Sequence, residues 1–87
     1  MKIAIVEDDM PICEELEIIL KNELYEVFIV KEFNSIPQQI KEENPDLILL
    51  DLGLPGIDGL QICKEIRKKS QVPIIFITGQ NSSMNEL

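Results

Sequence analysis

The chain has no histidine, no tryptophan and a single tyrosine. Without histidine it cannot build a Ser-His-Asp triad, a Cys-His pair or a histidine-based metal site. Its two cysteines are too few to staple a disulfide scaffold. Positive charge is also scarce: 8 Lys and Arg stand against 16 Asp and Glu, a net charge of -8. Such a surface repels phosphate backbones and anionic lipid, so neither direct nucleic-acid contact nor membrane binding is expected. No apolar run reaches the length of a membrane span. The short run at the N-terminus ends at once in acids, unlike a signal peptide. The expected location is the cytoplasm. What remains is a globular balance, with 45% hydrophobic and 28% charged residues over 87 positions. That length gives one domain, 1–87, and excludes a two-domain enzyme.

The apolar residues follow two periodicities. Ile3 to Val6, Val27 to Val30, Leu47 to Leu50 and Ile74 to Ile77 are short runs of strand length. Glu26 and Lys31 bracket the second of them, which suits a sheet edge. Pro11 opens a first helix, with Ile12, Leu16, Ile19 and Leu20 on its apolar face and Glu14, Glu15, Glu17 and Lys21 opposite. Ser35 is placed to cap a second helix that runs through Ile36, Pro37 and Ile40 to Asn44-Pro45. Asp58 is placed to cap a third, with Gln61 at capping-box spacing and Leu60, Cys63 and Ile66 as its stripe. Arg67, Lys68 and Lys69 crowd its last turn, where cations suit the helix dipole. A further helix start is expected near Asn81 or Ser82. The order βαβαβαβ implies a parallel sheet with helices on both faces.

Acids stand at the ends of these strands. Glu7 and Asp8 follow the first, and Asp51 ends the third. Polar residues after strands are ordinary in themselves, because loops face water. Asp51 is less ordinary, since four apolar residues precede it and Leu52 follows, placing a carboxylate at the rim of the core. Open parallel sheets bind ligands at the carboxyl ends of their strands. Three carboxylates meeting there call for a hard cation, and Mg²⁺ is the natural choice. Thr78, at the end of the fourth strand, could face the same pocket.

The runs IAIVEDD, DLILLDLGLPGIDG and PIIFITG resemble the three signatures of response-regulator receiver domains of two-component signalling. They stand in the family's order, and they look closest to receivers that precede winged-helix DNA-binding domains. The resemblance implies a flavodoxin-like, doubly wound α/β fold with a parallel sheet ordered 2-1-3-4. It implies that Asp51 is the phosphoacceptor and that Glu7 and Asp8 hold Mg²⁺ with it, Asp9 being a more variable neighbour. Gly53 matches the position whose main-chain carbonyl completes the metal site. Thr78 matches the switch hydroxyl and Gly79 the small residue beside it. Leu54, Pro55, Gly56, Asp58 and Gly59 match the loop that walls the site. The implied partner is a sensor histidine kinase, with Ile12 at the start of the first helix as a contact. The implied protein is a phosphoacceptor switch rather than an enzyme.

The family pattern continues with a fifth strand carrying a Lys, and no Lys follows Lys69 here. The expectation is therefore a receiver lacking the fifth strand and last helices, with its fourth strand exposed as an edge. Such an edge favours a homodimer, through fourth strands or by exchange of elements. Two other readings compete. One is a truncated receiver that only self-associates or binds partners, without phosphate turnover. The other is a Mg²⁺-dependent phosphohydrolase resembling the haloacid dehalogenases, which carry a second Asp two residues after the nucleophile, where this chain has Gly53. Cys13 and Cys63 are expected on opposite faces of the sheet, as unpaired core residues.

Overall fold

The computed structural model describes residues 1–77. The four apolar runs become β1 (Lys2–Val6), β2 (Glu26–Ile29), β3 (Leu47–Asp51) and β4 (Ile74–Ile77). The amphipathic stretches between them become α1 (Met10–Asn22), α2 (Ile36–Glu43) and α3 (Gly59–Arg67). All strand pairs are parallel, in the order β2-β1-β3-β4. This is the flavodoxin-like doubly wound sheet, with four strands among the described residues.

Both faces of the central strands are covered, as their unbroken apolar sequence requires. On one face Ala4, Val6, Ile48 and Leu50 pack with Ile36 and Ile40 of α2 and Ile66 of α3. The alternate residues Ile3 and Ile5 are also buried, as is Cys13 on α1. Each buried branched side chain contributes roughly 1.5–3 kcal/mol. Register places Ile5 beside Leu49 and Val6 beside Leu50. One step further, Glu7 comes level with Asp51.

The helix ends explain themselves locally, with some departures from expectation. Asp9 caps α1, accepting from the Ile12 N–H at 3.4 Å, so the helix starts before Pro11. Asp58 caps α3, accepting from the N–H groups of Leu60 and Gln61 at 3.0 and 3.4 Å. The Gln61 side chain reaches forward to Glu65 at 3.4 Å rather than back to the cap, so no reciprocal box closes. Ser35 occupies the cap position of α2, but its hydroxyl makes no capping bond. Gln39 holds that turn instead, donating to the carbonyl of Glu32 at 2.6 Å and to the Ser35 hydroxyl at 3.2 Å. Asn44 ends α2 at a φ of 49°, a left-handed position that asparagine tolerates.

The end of α1 is less comfortable. The N–H of Leu24 donates to the carbonyl of Lys21, and that of Tyr25 to the carbonyl of Leu20. This pattern needs a left-handed residue, and Leu24 supplies it at a φ of 69°. Glycine would do so without a cost of roughly 1 kcal/mol.

Two apolar stripes are shifted from the expected ones. Leu60 is 56% exposed, and Ile62 takes its place against the core beside Cys63 and Ile66. The Asp58 cap sets the rotation of α3, and that rotation turns Leu60 outward. On α1, Ile19 was expected to pack inward, yet it is 58% exposed beside exposed Ile18. Both cysteines are free, Cys13 buried and Cys63 half-buried.

Candidate functional site

Strand order reverses between β1 and β3, because the chain leaves β1 towards β2 and later continues from β3 towards β4. Crevices of this kind open at the carboxyl ends of the strands. Glu7 and Asp51 sit there, each 3% exposed. Asp8 projects from the following loop and is exposed. Each of the three offers a carboxylate oxygen within 4.8 Å of the other two. Two buried carboxylates and a third beside them repel one another.

The local hydrogen bonds hold the acids in place. The Gly53 N–H donates to Oδ1 of Asp51 at 2.8 Å, which turns the loop after β3. The Asp9 N–H donates to Oε2 of Glu7 at 3.1 Å. The other oxygen, Oε1 of Glu7, is buried with no hydrogen-bond partner among the described residues. Burial pushes the Glu7 carboxyl up to about 7, opposed by the Asp9 N–H bond and reinforced by the neighbouring Asp51. Beneath it, the Cys13 thiol donates to the main-chain carbonyl of Glu7 at 3.2 Å. Burial pushes this thiol up as well, and the acids around it add to the shift. Cys13 is therefore a packed donor that fixes the β1–α1 turn, not a nucleophile.

The residues present fit a hard divalent cation. All three donors are carboxylate oxygens, and one buried oxygen lacks a partner. Mg²⁺ favours such oxygen sets and keeps part of its water shell, which suits a site with one exposed ligand.

The wall of the site is also set by sequence. Gly56 takes a φ of 68° in the loop before α3. Gly59 is buried at the first turn of α3, where a Cβ would come within 2.8 Å of Cδ2 of Leu52. Leu54 is buried against the core.

The family profile described as "Response regulator receiver domain" matches residues 3–86. This chain belongs to the response regulator receiver family. Among solved structures, it is 44% identical to the N-terminal domain of the nisin resistance regulator NsrR, a lantibiotic response regulator. That match covers 92% of this chain and 68% of the other, with a TM-score of 0.84. It is 35% identical to the BeF3-activated N-terminal receiver domain of Klebsiella pneumoniae RstA, over 98% of this chain and 73% of that one, TM-score 0.84. A chain of the complex between histidine kinase ThkA and response regulator protein TrrA is 35% identical, over 90% and 68% of the two chains, TM-score 0.78.

The receiver thus brings Glu7, Asp8 and Asp51 together as expected, with Gly53 bonded to Asp51. Thr78 and Gly79 lie outside the described residues, as does the helix start expected near Asn81 or Ser82. The sequence reading missed the hollow of about 180 Å³ beside the acids, where Lys31, Met10 and Phe33 join Glu7 and Asp8. By sequence, Lys31 stands only as the bracket of β2. The signal was present, since Lys31 follows β2, and β2 is the parallel neighbour of β1. No helix among the described residues is long and apolar enough to cross a membrane.

Proposed function

We propose that this receiver is a phosphoacceptor switch in which Asp51 takes a phosphoryl group from a phosphohistidine on a sensor histidine kinase. The observation that carries the reading is the close set of Glu7, Asp8 and Asp51 at the switch point of the sheet. The Gly53 N–H donates to Oδ1 of Asp51 and orients the carboxylate, which is the residue type that attacks phosphorus. An O–P bond forms to Asp51 as the N–P bond to histidine breaks; the electron pair stays on the histidine nitrogen, which takes a proton from water. Mg²⁺, when bound, neutralises charge on the phosphoryl oxygens. Glu7 and Asp8 would hold it with Asp51, and the main-chain carbonyl of Gly53 would complete the set. Thr78 is assigned the switch hydroxyl and Gly79 the space beside it, both on their place in PIIFITG. The added charge then biases the loops between two arrangements.

Incubation with Mg²⁺ and a small acyl phosphate, read by intact mass, tests this. One phosphoryl adduct that depends on Mg²⁺ is expected. No adduct at any donor concentration leaves only a partner-binding role.

A second part of the proposal concerns self-association. Among the described residues β4 pairs with β3 alone. Its Ile75 and Phe76, which point to opposite faces, are 51% and 41% exposed. That supports a homodimer through β4 or an exchanged element. A monodisperse monomer by light scattering at high micromolar concentration would count against it.

A further inference from the structure

Positive charge is rare in this chain, yet it is not spread evenly. Five of its eight cations cluster together: Lys41, Lys64 and Arg67 in the C-terminal halves of α2 and α3, and Lys68 and Lys69 just after α3. These helices run back against the parallel strands, so their C-termini sit at the end of the sheet away from the acidic site. The dipole explains some of this charge. Arg67 has a specific task, donating to the main-chain carbonyls of Ser70 and Val72 and tying down the chain after α3. Lys41, Lys68 and Lys69 have no such task. They are exposed, and none has an ion-pair partner among the described residues.

These three lysines surround a groove. Pro37, Ile40, Pro45 and Ile66 line it with Lys41, Lys69 and the acid Glu65, beside the polar Asn44 and Ser70. The hollow there is about 120 Å³. That is well short of the roughly 300–1,000 Å³ of a cofactor pocket, and it suits a single branched side chain. A second hollow of about 270 Å³ adjoins it, lined by Gln38, Lys41, Lys68 and Lys69 with one acid, Glu65. Glu65 is held by the Gln61 amide, and the nearby acids Glu42 and Glu43 are taken by Gln38 and Lys2. Three lysines therefore face the opening against one engaged carboxylate.

We propose that the α2–α3 groove docks an acidic peptide segment of a partner protein, with one branched apolar side chain in its smaller hollow and carboxylates on Lys41, Lys68 and Lys69. Charge complementarity selects the occupant. On a chain of net charge -8, this is a local reversal of sign, and it steers an acidic segment here and away from the rest of the surface. The apolar residues of the groove distinguish a peptide from a bare anion. Binding here uses none of the acids at the other end of the sheet, so it is independent of the phosphoacceptor reading.

The probe is a labelled twelve-residue peptide of Glu and Asp with a central Leu, followed by anisotropy and by backbone amide shifts of the intact chain. Shifts confined to α2, α3 and the segment after α3 are expected, with affinity falling as salt rises. Lys41→Glu with Lys69→Glu, both exposed positions, is expected to weaken binding about tenfold or more at unchanged circular dichroism. A peptide with Ser for Leu is expected to bind more weakly. Asp51→Asn is expected to bind as the parent does. The proposal is overturned if no groove resonance moves at millimolar peptide, if the Ser peptide binds equally well, or if short duplex DNA shifts the same resonances more strongly.

Discussion

Asp51→Asn is expected to carry no phosphoryl group under conditions that load the parent chain fully, while losing none of its fold. The chemical half of this is a complete loss, because an amide cannot act as the phosphoryl nucleophile. The structural half follows from the geometry. An asparagine oxygen can still accept the Gly53 N–H, now made at 2.8 Å, so the loop after β3 keeps its anchor. The exchange also removes one of two buried carboxylates that lie against each other. Less repulsion acts on Glu7, and its proton is released at lower pH, although burial, the larger cause, keeps it above the usual range. The thermal midpoint at pH 8 without metal is therefore expected at or above that of the parent. Intact mass after donor and Mg²⁺, with a thermal melt alongside, checks both halves. A persisting adduct would move the acceptor to Glu7 or Asp8. A midpoint lowered by many degrees would show that the Asp51 charge supports the fold.

Most of the architecture was legible because it rests on short, unbroken apolar runs. Ile74 to Ile77 forms β4 without adjustment, and Leu47 to Leu50 forms β3 with Asp51 as its last residue. The strand order and its switch point followed from alternation of elements and the family motifs, and both are as expected. The acids at the strand ends were legible for the same reason, since parallel strands in register bring their carboxyl ends to one rim. What escaped the sequence were properties set by rotation and by partners distant along the chain. Leu60 and Ile62 are equally apolar, and the rotation of α3 set at its Asp58 cap decides which faces the core. Lys31 and the hollow beside Glu7 depend on β2 lying next to β1. The basic stretch after Ile66 looked like a single feature, yet Arg67 folds back onto carbonyls while Lys68 and Lys69 line a groove with Lys41 from another helix.

The run of the helices back against the parallel strands gives the molecule two ends of opposite character. The carboxyl end of the sheet gathers Glu7, Asp8 and Asp51, and the opposite end gathers the lysines of α2 and α3. Like charges collected at one place repel, and the helix dipoles offset this only in part for the lysines. The proposed occupants, a cation at one end and an acidic segment at the other, would offset both sets of repulsions.

The acidic end also makes stability depend on pH in an unusual direction. Burial holds the Glu7 carboxyl at about 7 in the folded chain, against an ordinary 4.5. Between those values the folded state keeps a proton that the unfolded state has lost. Stability is therefore full below about 4.5 and falls as pH rises to about 7, by on the order of 3 kcal/mol for metal-free protein. Glu7→Gln removes that loss. Its amide oxygen can accept the Asp9 N–H, and its nitrogen can donate towards the neighbouring carboxylates, filling the role that buried Oε1 leaves empty. At pH 8 without metal the variant is expected to melt roughly 10 °C or more above the parent, and at pH 4.5 the two are expected to coincide. Added Mg²⁺ reverses the order: a cation binds the charged form, so it raises the parent's midpoint at pH 8 and does little for the variant. Four sets of melts, at the two pH values with and without Mg²⁺, decide the matter. A gap between parent and variant that is the same at both pH values would mean that Glu7 is not the titrating group. Equal stabilisation of both by Mg²⁺ would remove Glu7 from the metal site, because a ligand that loses its charge without loss of binding was never holding the ion.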